Sequence, residues 1–197
     1  MSCDFTFDHY KECLKALRES DTKYYIYHDV DSHLENALKF SNIESEFGMR
    51  CCYFIRVHGK YNPFYYPNSK IIKKISENHI VGLHFEPEYH YLNGEDVFDQ
   101  MANDYDLLYK SGLVNRYLYT THNIEQLKAK RKYCRFHDFS KVEFDCYDKE
   151  ENNIKYISDS GGRWREGCMC NFIGKEKILK INTHPTWWFE ESNLENF

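Results

Sequence analysis

The sequence lacks the features of a membrane or secreted protein. It has no run of about 18 apolar residues, the length that a membrane-spanning helix needs, so we expect no membrane span. The first 20 residues do not place an apolar stretch after a charged start, as a secretion signal does, and they predict an amphipathic helix instead. Without such a signal we expect a cytoplasmic protein.

An excess of basic charge is also missing. The chain has 26 Lys and Arg against 31 Asp and Glu, a net charge of -5, and no basic stripe that could follow a phosphate backbone. We therefore expect no nucleic-acid partner. The phosphate-binding pattern G-x4-G-K-[ST] is absent as well, because Gly174-Lys175 is followed by Glu176, so nucleotide chemistry is not expected.

The eight cysteines do not form the paired C-x2-C pattern of a zinc knuckle. Cys51 and Cys52 are adjacent, and only one residue separates Cys168 from Cys170. A reducing compartment disfavours disulfides. We therefore predict free thiols that pack as small hydrophobic side chains, ahead of a zinc-binding or redox role.

Aromatic residues, by contrast, are abundant, at 17% of a chain that is 42% hydrophobic. Disordered chains are poor in such residues, so we expect a folded protein. The length of 197 residues fits a single domain, 1–197, in which the N-terminal helix over 1–20 packs on the rest.

Segments with strand and helix patterns alternate along the chain. Such alternation predicts parallel βαβ units. With about seven strands we predict an α/β fold, namely a single-domain distorted (β/α) barrel that is smaller than the eightfold barrel of about 250 residues. The predicted strands are 23–28, 50–57, 80–85, 115–121, 142–147, 154–158 and 178–183. Helices are predicted over 1–20, 68–78, 94–111 and near 123–132, and between a Ser32-x-x-Glu35 capping box and Gly48.

Titratable side chains lie at or just after the ends of five predicted strands. The carboxyl ends of parallel barrel strands open on one face, which is where such folds carry their chemistry. A single polar residue at a strand end is more often a helix cap or a loop hydrogen-bonder. Their coincidence at five strand ends nevertheless indicates a site. The residues are Asp29, Asp31, His84, Glu86, His122, Asp159 and His184.

The first two of these residues predict a metal site. Asp29 and Asp31 point to the same side of an extended backbone, where two carboxylates repel each other unless a cation or a shared proton intervenes. Asp31 bound to a divalent ion would leave Asp29 free as a general base toward water. Imidazoles beside a carboxylate suit zinc or a similar ion. The simpler alternative is an Asp-rich cap before the following helix.

Four segments resemble the motifs of a known family. They are Tyr27–Asp31 (YHDVD), Ile80–Glu86 (IVGLHFE), Ser158–Trp164 (SDSGGRW) and Thr183–Trp188 (THPTWW). In this order they resemble the polysaccharide deacetylase superfamily (carbohydrate esterase family 4, chitooligosaccharide deacetylase-like domain). The last two resemble a bacterial branch associated with surface-polysaccharide synthesis.

The resemblance implies a distorted (β/α) barrel that hydrolyses the N-acetyl group of a sugar with a divalent metal ion, zinc being expected. The partner would be a carbohydrate or a sugar-containing small molecule. Asp29 would be the catalytic base and His184 the general acid, while Asp31 and His84 would bind the metal. We assign substrate contacts to Glu86, Asp159, Trp164 and Trp187, and we expect further aromatic contacts from the loop 61–68.

The chain departs from the family pattern in two places. The second motif usually reads H-x3-H, but position 88 is Glu88. The third metal ligand could therefore be Glu88, His90 or His122, and we favour His122 because a strand end is more rigid than a loop. The arginine-containing third motif is not recognisable, so Arg163 is our candidate for orienting Asp29 or holding an anionic substrate.

Two other functions stay open. A barrel with altered motifs could bind a glycan without cleaving it. A metal-independent glycosidase could instead use Asp29 or Asp31 together with Glu86, since such enzymes hold two carboxyl groups about 5–9 Å apart.

Overall fold

The computed structural model describes residues 3–94, 96–122 and 154–191. The six strands in this part of the chain form one parallel sheet in the order β4-β3-β2-β1-β6-β5. The strands are β1 Lys23–Val30, β2 Cys52–Ile55, β3 Ile80–Phe85, β4 Tyr119–Thr121, β5 Ile154–Ser158 and β6 Ile178–Thr183. The α-helices are α1 Phe7–Glu19, α2 Leu34–Glu46, α3 Tyr66–Ser76, α4 Pro87–Leu92 and α5 Val97–Lys110, and short 3-10 helices cover Met169–Asn171 and Pro185–Trp187.

Parallel pairing brings the carboxyl ends of the strands to one edge of the sheet. Val30 at the end of β1 pairs with Ile55 at the end of β2, and His28 pairs with Thr183 at the end of β6. Phe85 at the end of β3 pairs with Thr121 at the end of β4. The residues that follow these strand ends therefore emerge together.

The sheet is curled rather than flat. In a flat sheet, β4 and β5 at its two edges would lie about 24 Å apart, since neighbouring strands are about 4.8 Å apart. Yet Thr121 of β4 and both Tyr156 and Ser158 of β5 line the same cavity. The sheet therefore forms a half-barrel, with its carboxyl edge around that cavity.

The predicted α/β class and the parallel strands are confirmed, whereas the closed barrel is not. The described residues form six strands and an open sheet in place of a barrel of about seven strands. The expected strand 142–147 and the helix near 123–132 lie outside the described residues. Within those residues, every helix is too short or too polar to cross a lipid bilayer.

The predicted amphipathic helix at the N-terminus is present as α1. Its buried side chains recur every three or four residues, at Phe7, Tyr10, Leu14 and Leu17, as one face of a helix requires. The ring of Tyr10 lies 4.4 Å from that of Phe40 on α2. This apolar face joins α1 to the core on the outer side of the sheet.

The helix that follows β1 begins differently from the expectation. The residue before α2 is His33, whose φ is 53°, and its side chain makes no capping hydrogen bond. The predicted capping box from Ser32 is therefore wrong. The Ser32 hydroxyl lies 2.7 Å from the Thr186 hydroxyl instead, and so links this turn to the segment after β6. The predicted stop is confirmed, because Gly48 follows α2 with a φ of 66°.

Element ends account for the other differences. The strand predicted over 50–57 is Cys52–Ile55, and the strand predicted over 115–121 is Tyr119–Thr121. The helix predicted over 94–111 covers Val97–Lys110 as α5 and is preceded by α4, which the sequence pattern did not indicate.

Candidate metal centre

A cavity of about 470 Å³ opens at the carboxyl edge of the sheet. Its lining combines residues from both ends of the curled sheet, and six of the predicted site residues belong to it. They are Asp29, Asp31, His84, His122, His184 and Trp187. The coincidence of strand ends noted in the sequence therefore corresponds to one place in the structure.

The three predicted metal ligands converge inside this cavity. Asp31, His84 and His122 each offer one ligand atom, and these atoms lie within 4.8 Å of one another. Oδ1 of Asp31 is 3.4 Å from Nε2 of His84 and 3.7 Å from Nε2 of His122. Two imidazole nitrogens and one carboxylate oxygen form a donor set that suits zinc or a similar divalent ion.

A hydrogen-bond chain determines which nitrogen of His84 can bind a metal. The Thr120 hydroxyl donates to Oδ1 of Asp29 at 2.7 Å, and Nδ1 of His84 lies 2.6 Å from the same hydroxyl oxygen. Because the hydroxyl has only one proton, Nδ1 of His84 must be the donor to it. In the neutral imidazole Nε2 is then left with its lone pair, and this is the atom that faces Asp31.

The second imidazole is held in the same way. Nδ1 of His122 is hydrogen-bonded to Oε1 of Glu88. A carboxylate accepts hydrogen bonds, so the proton of a neutral His122 lies on Nδ1 and Nε2 is free to act as a ligand. Metal-binding histidines commonly have such an acceptor behind them, since it sets the tautomer and the orientation of the ring.

This geometry bears on the three candidates for the third ligand. His122 presents a ring nitrogen to Asp31, whereas Glu88 lies behind His122. His90 is directed elsewhere, with its Nε2 2.9 Å from Oδ2 of Asp104. The structure therefore favours His122.

The charge of Asp31 also fits a cation site. Burial would raise the pKa of Asp31, but the hydrogen bond with His84 and the charges of the surrounding histidines hold it well below its usual value. Burial disfavours the charged form of His84, and the Asp29 and Asp31 carboxylates outweigh this and raise the pKa of His84. Asp31 is thus an ionised carboxylate at neutral pH.

Asp29 lies beside this cluster and is 3% exposed. Its Oδ1 accepts the Thr120 hydrogen bond, and its Oδ2 accepts a hydrogen bond of 3.0 Å from the side-chain amide of Asn182. Nε2 of His184 lies 3.9 Å from Oδ2 on the other side. Asp29 is therefore positioned between the metal-ligand cluster and His184.

His184 is held by a buried carboxylate. Nδ1 of His184 lies 2.6 Å from Oδ1 of Asp159, whose Oδ2 accepts a hydrogen bond of 2.7 Å from the Trp188 indole. Burial opposes the charged form of His184, but the Asp159, Asp29 and Asp31 carboxylates prevail and raise its pKa to about 9. The imidazole is protonated at neutral pH, with Nε2–H directed toward Asp29.

Asp159 itself is not placed as the sequence predicted. We expected a substrate contact, but the residue is 0% exposed and lies behind His184. Both of its oxygens are used by the backbone and side chain of His184 and by Trp188. Its position is that of a group that orients and charges an imidazole.

Three other predicted residues lie outside the described lining of the cavity. Glu86 is buried and its carboxylate contacts the Arg56 guanidinium at 2.5 Å, so it is not available as a partner carboxylate for Asp29. The Trp164 ring is stacked 6.2 Å from that of Phe5, where its apolar area closes the core. Arg163 is exposed on the surface.

The loop 61–68 also differs from the expectation of a substrate-side loop. None of its residues lines the described cavity, and α3 already begins within it at Tyr66. The Tyr61 hydroxyl donates to the backbone oxygen of Val30 at 2.8 Å. This end of the loop therefore supports the turn after β1.

Arg56 is the main residue of the cluster that the sequence analysis missed. Its guanidinium lies 3.2 Å from Oδ1 of Asp31 and 3.5 Å from Nε2 of His122, and it also pairs with Glu86. Arg56 follows β2 at the same edge of the sheet, so the strand-end rule could have indicated it. A cation bound by Asp31 would share that carboxylate with a guanidinium.

Further lining residues come from positions that no motif marked. Asn182 on β6 belongs to the lining, as do Arg165 and Glu166 in the turn after β5. Arg165, two residues beyond Arg163, is the arginine of that segment at the cavity.

No family model matches this chain, and neither a curated protein nor a solved structure matches it. The likeness to polysaccharide deacetylases rests on the four segments alone, and the chain is characterised by its own fold and site: a parallel α/β half-barrel with an Asp-His-His cluster at its carboxyl edge.

Proposed function

We propose that this protein is a metal-dependent hydrolase that removes an N-acetyl group from a sugar. The observation that carries the proposal is the convergence of Asp31, His84 and His122 beside Asp29 and His184 around one cavity. A metal site flanked by a carboxylate on one side and a charged imidazole on the other contains the parts that amide hydrolysis needs.

The three ligands would hold a divalent cation through Nε2 of His84, Nε2 of His122 and Oδ1 of Asp31. When bound there, such an ion supplies Lewis-acid polarisation of the amide carbonyl and a lower pKa for water. Asp29 is the base of this scheme, because its carboxylate is fixed by Thr120 and Asn182 at the edge of the ligand cluster.

His184 is the general acid. Amide hydrolysis ends with the departure of an amine, which leaves readily only if it receives a proton. The charged imidazole, kept protonated by Asp159, can supply that proton from Nε2. A positioned acid or base of this kind typically contributes about 10²–10⁴-fold to the rate.

The substrate class follows from the resemblance and is supported by the lining of the cavity. A volume of about 470 Å³ is suited to one or two sugar rings. Trp187 offers a flat apolar surface of the kind on which a pyranose ring can stack, and Ser158, Ser160 and Asn182 offer hydrogen-bonding groups. The likeness to the bacterial branch supports a role in surface-polysaccharide synthesis.

A glycan-binding protein without catalysis is the second candidate, and Arg56 is the observation that favours it. Its guanidinium contacts Asp31 and approaches His122, so a permanent cation of the chain already neutralises the carboxylate. In that case Asp31 would need no metal, and the cavity would only bind.

The two candidates differ in metal content and in product release. We would measure zinc per chain by elemental analysis in the wild type, in Asp31→Ala and His84→Ala, and in Asp99→Ala as an exposed control. We would also measure acetate release from N-acetylated chitooligosaccharides. The proposal predicts one zinc fewer in the two site variants only, and an Asp29→Asn variant that keeps its zinc and loses acetate release.

Equal zinc content in the wild type and both site variants would overturn the metal site and support the binding protein. Acetate release that survives exhaustive chelation would overturn the metal-dependent reaction.

A further inference from the structure

A second cluster of potential metal ligands lies outside the lining of the cavity. Cys3 precedes α1, His9 lies in its first turns, and Cys168 and Cys170 flank the start of the 3-10 helix Met169–Asn171. One ligand atom from each of the four residues lies within 4.8 Å of the others. None of them belongs to the described lining of the cavity, so the cluster is separate from the proposed catalytic centre.

Two of the distances between these atoms are close to those of a tetrahedral metal site. Sγ of Cys3 lies 3.4 Å from Sγ of Cys170, and Nε2 of His9 lies 3.1 Å from Sγ of Cys168. Ligands at about 2.3 Å (sulfur) and about 2.0 Å (nitrogen) from zinc are about 3.5–3.8 Å apart in a tetrahedron. Small side-chain movements would therefore complete the coordination. The two sulfurs are well beyond the covalent distance of about 2.05 Å.

The surroundings of His9 point to a ligand as well. The residue is 3% exposed. Among the described residues, the atoms within hydrogen-bond distance of its Nε2 are the sulfurs of Cys168 and Cys13. Its Nδ1 is buried without a hydrogen-bond partner in that part of the chain, and the nearest carboxylate oxygen, of Glu12, is 3.8 Å away. Thiols are weak hydrogen-bond partners, so a zinc ion at Nε2 would give this buried nitrogen a stronger partner than the neutral sulfurs do.

We propose that Cys3, His9, Cys168 and Cys170 bind a structural zinc ion with three thiolates and one imidazole. Four protein ligands leave no open coordination position, which is the pattern of structural rather than catalytic zinc. On binding, the three thiols release their protons and His9 is neutral with its proton on Nδ1. Zinc is preferred over magnesium or calcium because soft thiolate ligands select it.

The site gives the ion a defined mechanical role. The ion would join Cys3, before α1, to the segment that contains Cys168 and Cys170. This segment directly follows Arg165 and Glu166, two residues that line the cavity. Zinc would thereby fasten the N-terminal helix to the loop that forms one wall of the cavity. Binding energy of this kind adds directly to folding stability, since the unfolded chain has no preformed site.

The test uses the full chain with cobalt and zinc as probes. We would compare the wild type with the double variant Cys3→Ala/Cys170→Ala. Cys3 is exposed and Cys170 is half-buried, so neither is part of the buried core. Cys52→Ala is the matched control, because Cys52 is also half-buried. We expect the double variant to lose one zinc per chain and the sulfur-to-cobalt charge-transfer absorption, while Cys52→Ala keeps both. Circular dichroism would check that each variant folds.

The Asp31→Ala variant separates this site from the catalytic one. It should lose one zinc per chain and yet keep the full sulfur-to-cobalt absorption, because its missing ligand is a carboxylate. The wild type can also be treated with a mercurial reagent that modifies thiols. This treatment should release one zinc per chain, and it requires no substitution.

Three results would overturn the proposal. One is a wild-type protein that binds cobalt without any sulfur-to-cobalt absorption. Another is a double variant that keeps the zinc content and the absorption of the wild type. The third is a disulfide between Cys3 and Cys170 in protein purified from a reducing compartment, detected by mass spectrometry of peptides.

Discussion

The hydroxyl of Thr120 joins His84 to Asp29. It donates to Oδ1 of Asp29 at 2.7 Å and lies 2.6 Å from Nδ1 of His84. One small side chain on β4 therefore orients both a proposed metal ligand on β3 and the proposed base on β1. The acid-base and metal-binding parts of the site are one hydrogen-bonded unit.

Thr120→Val should weaken metal binding while preserving the shape of the side chain. Valine cannot accept the His84 proton or donate to Asp29, so the imidazole loses the partner that sets its tautomer. Loss of such a partner typically lowers metal affinity by about 10–100-fold. Zinc affinity would be measured by competition with a chelator. Thr22→Val is the control, since Thr22 is also buried but donates to the backbone oxygen of Glu176, and it should retain the affinity of the wild type. Equal affinities in the two variants would contradict this role of Thr120.

The Asp159–His184 pair predicts a pH dependence. The pKa of His184 is raised to about 9 by Asp159, Asp29 and Asp31, against the effect of burial. Stability from the charged imidazole is therefore fully present below the pKa of an unfolded histidine, about 6.5, and is lost as the pH rises through about 9. Acetate release should fall over the same upper range, because the acid loses its proton.

Asp159→Asn should move this titration to lower pH. The amide can still accept hydrogen bonds but no longer attracts the imidazolium, so the pKa of His184 should drop toward its usual value. The measurement is an NMR titration of the His184 ring protons in both proteins, with Asp99→Asn as an exposed control. A titration midpoint unchanged by Asp159→Asn would refute the assignment of Asp159 as the group that charges His184.

Removal of Arg56 alone should destabilise the fold. Its guanidinium neutralises Glu86, whose side chain is 3% exposed, so Arg56→Gln leaves a buried carboxylate without its cation. Breaking one partner of such a pair typically costs about 3–5 kcal/mol of unfolding free energy. The double variant Arg56→Gln/Glu86→Gln removes both charges and should recover most of this loss in urea unfolding.

The same double variant should bind zinc more tightly than the wild type. The guanidinium lies 3.2 Å from the Asp31 oxygen, where a positive charge repels an incoming cation. Titration with zinc would measure the gain. Weaker zinc binding in a double variant that folds as the wild type does would indicate that Arg56 positions Asp31 rather than competes with the metal.

Gly82 is required by the close approach of two backbones. A Cβ atom at this position would lie 2.5 Å from the backbone oxygen of Leu118 and 3.1 Å from the ring of Phe54. Gly82→Ala should therefore destabilise the fold by about 1–3 kcal/mol, as overpacking typically does. It should also weaken zinc binding, because His84 is two residues away on the same strand. The half-buried substitution Ser76→Ala is the control in urea unfolding, and equal midpoints for the two variants would contradict this close packing.

The positions of the central site residues could be predicted from the sequence. Asp31 and His122 follow strand ends and His84 is the last residue but one of β3, and in a parallel sheet all such ends share one edge. The same rule would have included Arg56 after β2, which carries no motif. The rule places a residue at the correct edge of the sheet but does not say where its side chain points.

That limit explains the assignments that changed. Asp159 and Glu86 also follow strand ends, yet Asp159 points back to His184, and Glu86 lies where the chain turns into α4 and meets Arg56. The turn after the strand determines these directions, and its conformation depends on neighbouring elements. Trp164 packs against the core for the same reason, since the place of its ring is set by Phe5 and Trp188, which are far away in sequence.

The sequence by itself determined the alternation of strands and helices, the parallel class of the sheet, and the edge at which the polar residues collect. These properties depend on local hydrophobic patterns and on the geometry that parallel strands share. Only the tertiary structure decided the strand order, the curl of the sheet, and the partners that select one nitrogen of His84 and of His122. It also brought Cys3 to Cys170 across 167 positions, because a ligand cluster is made by packing between distant segments, which no local pattern of residues encodes.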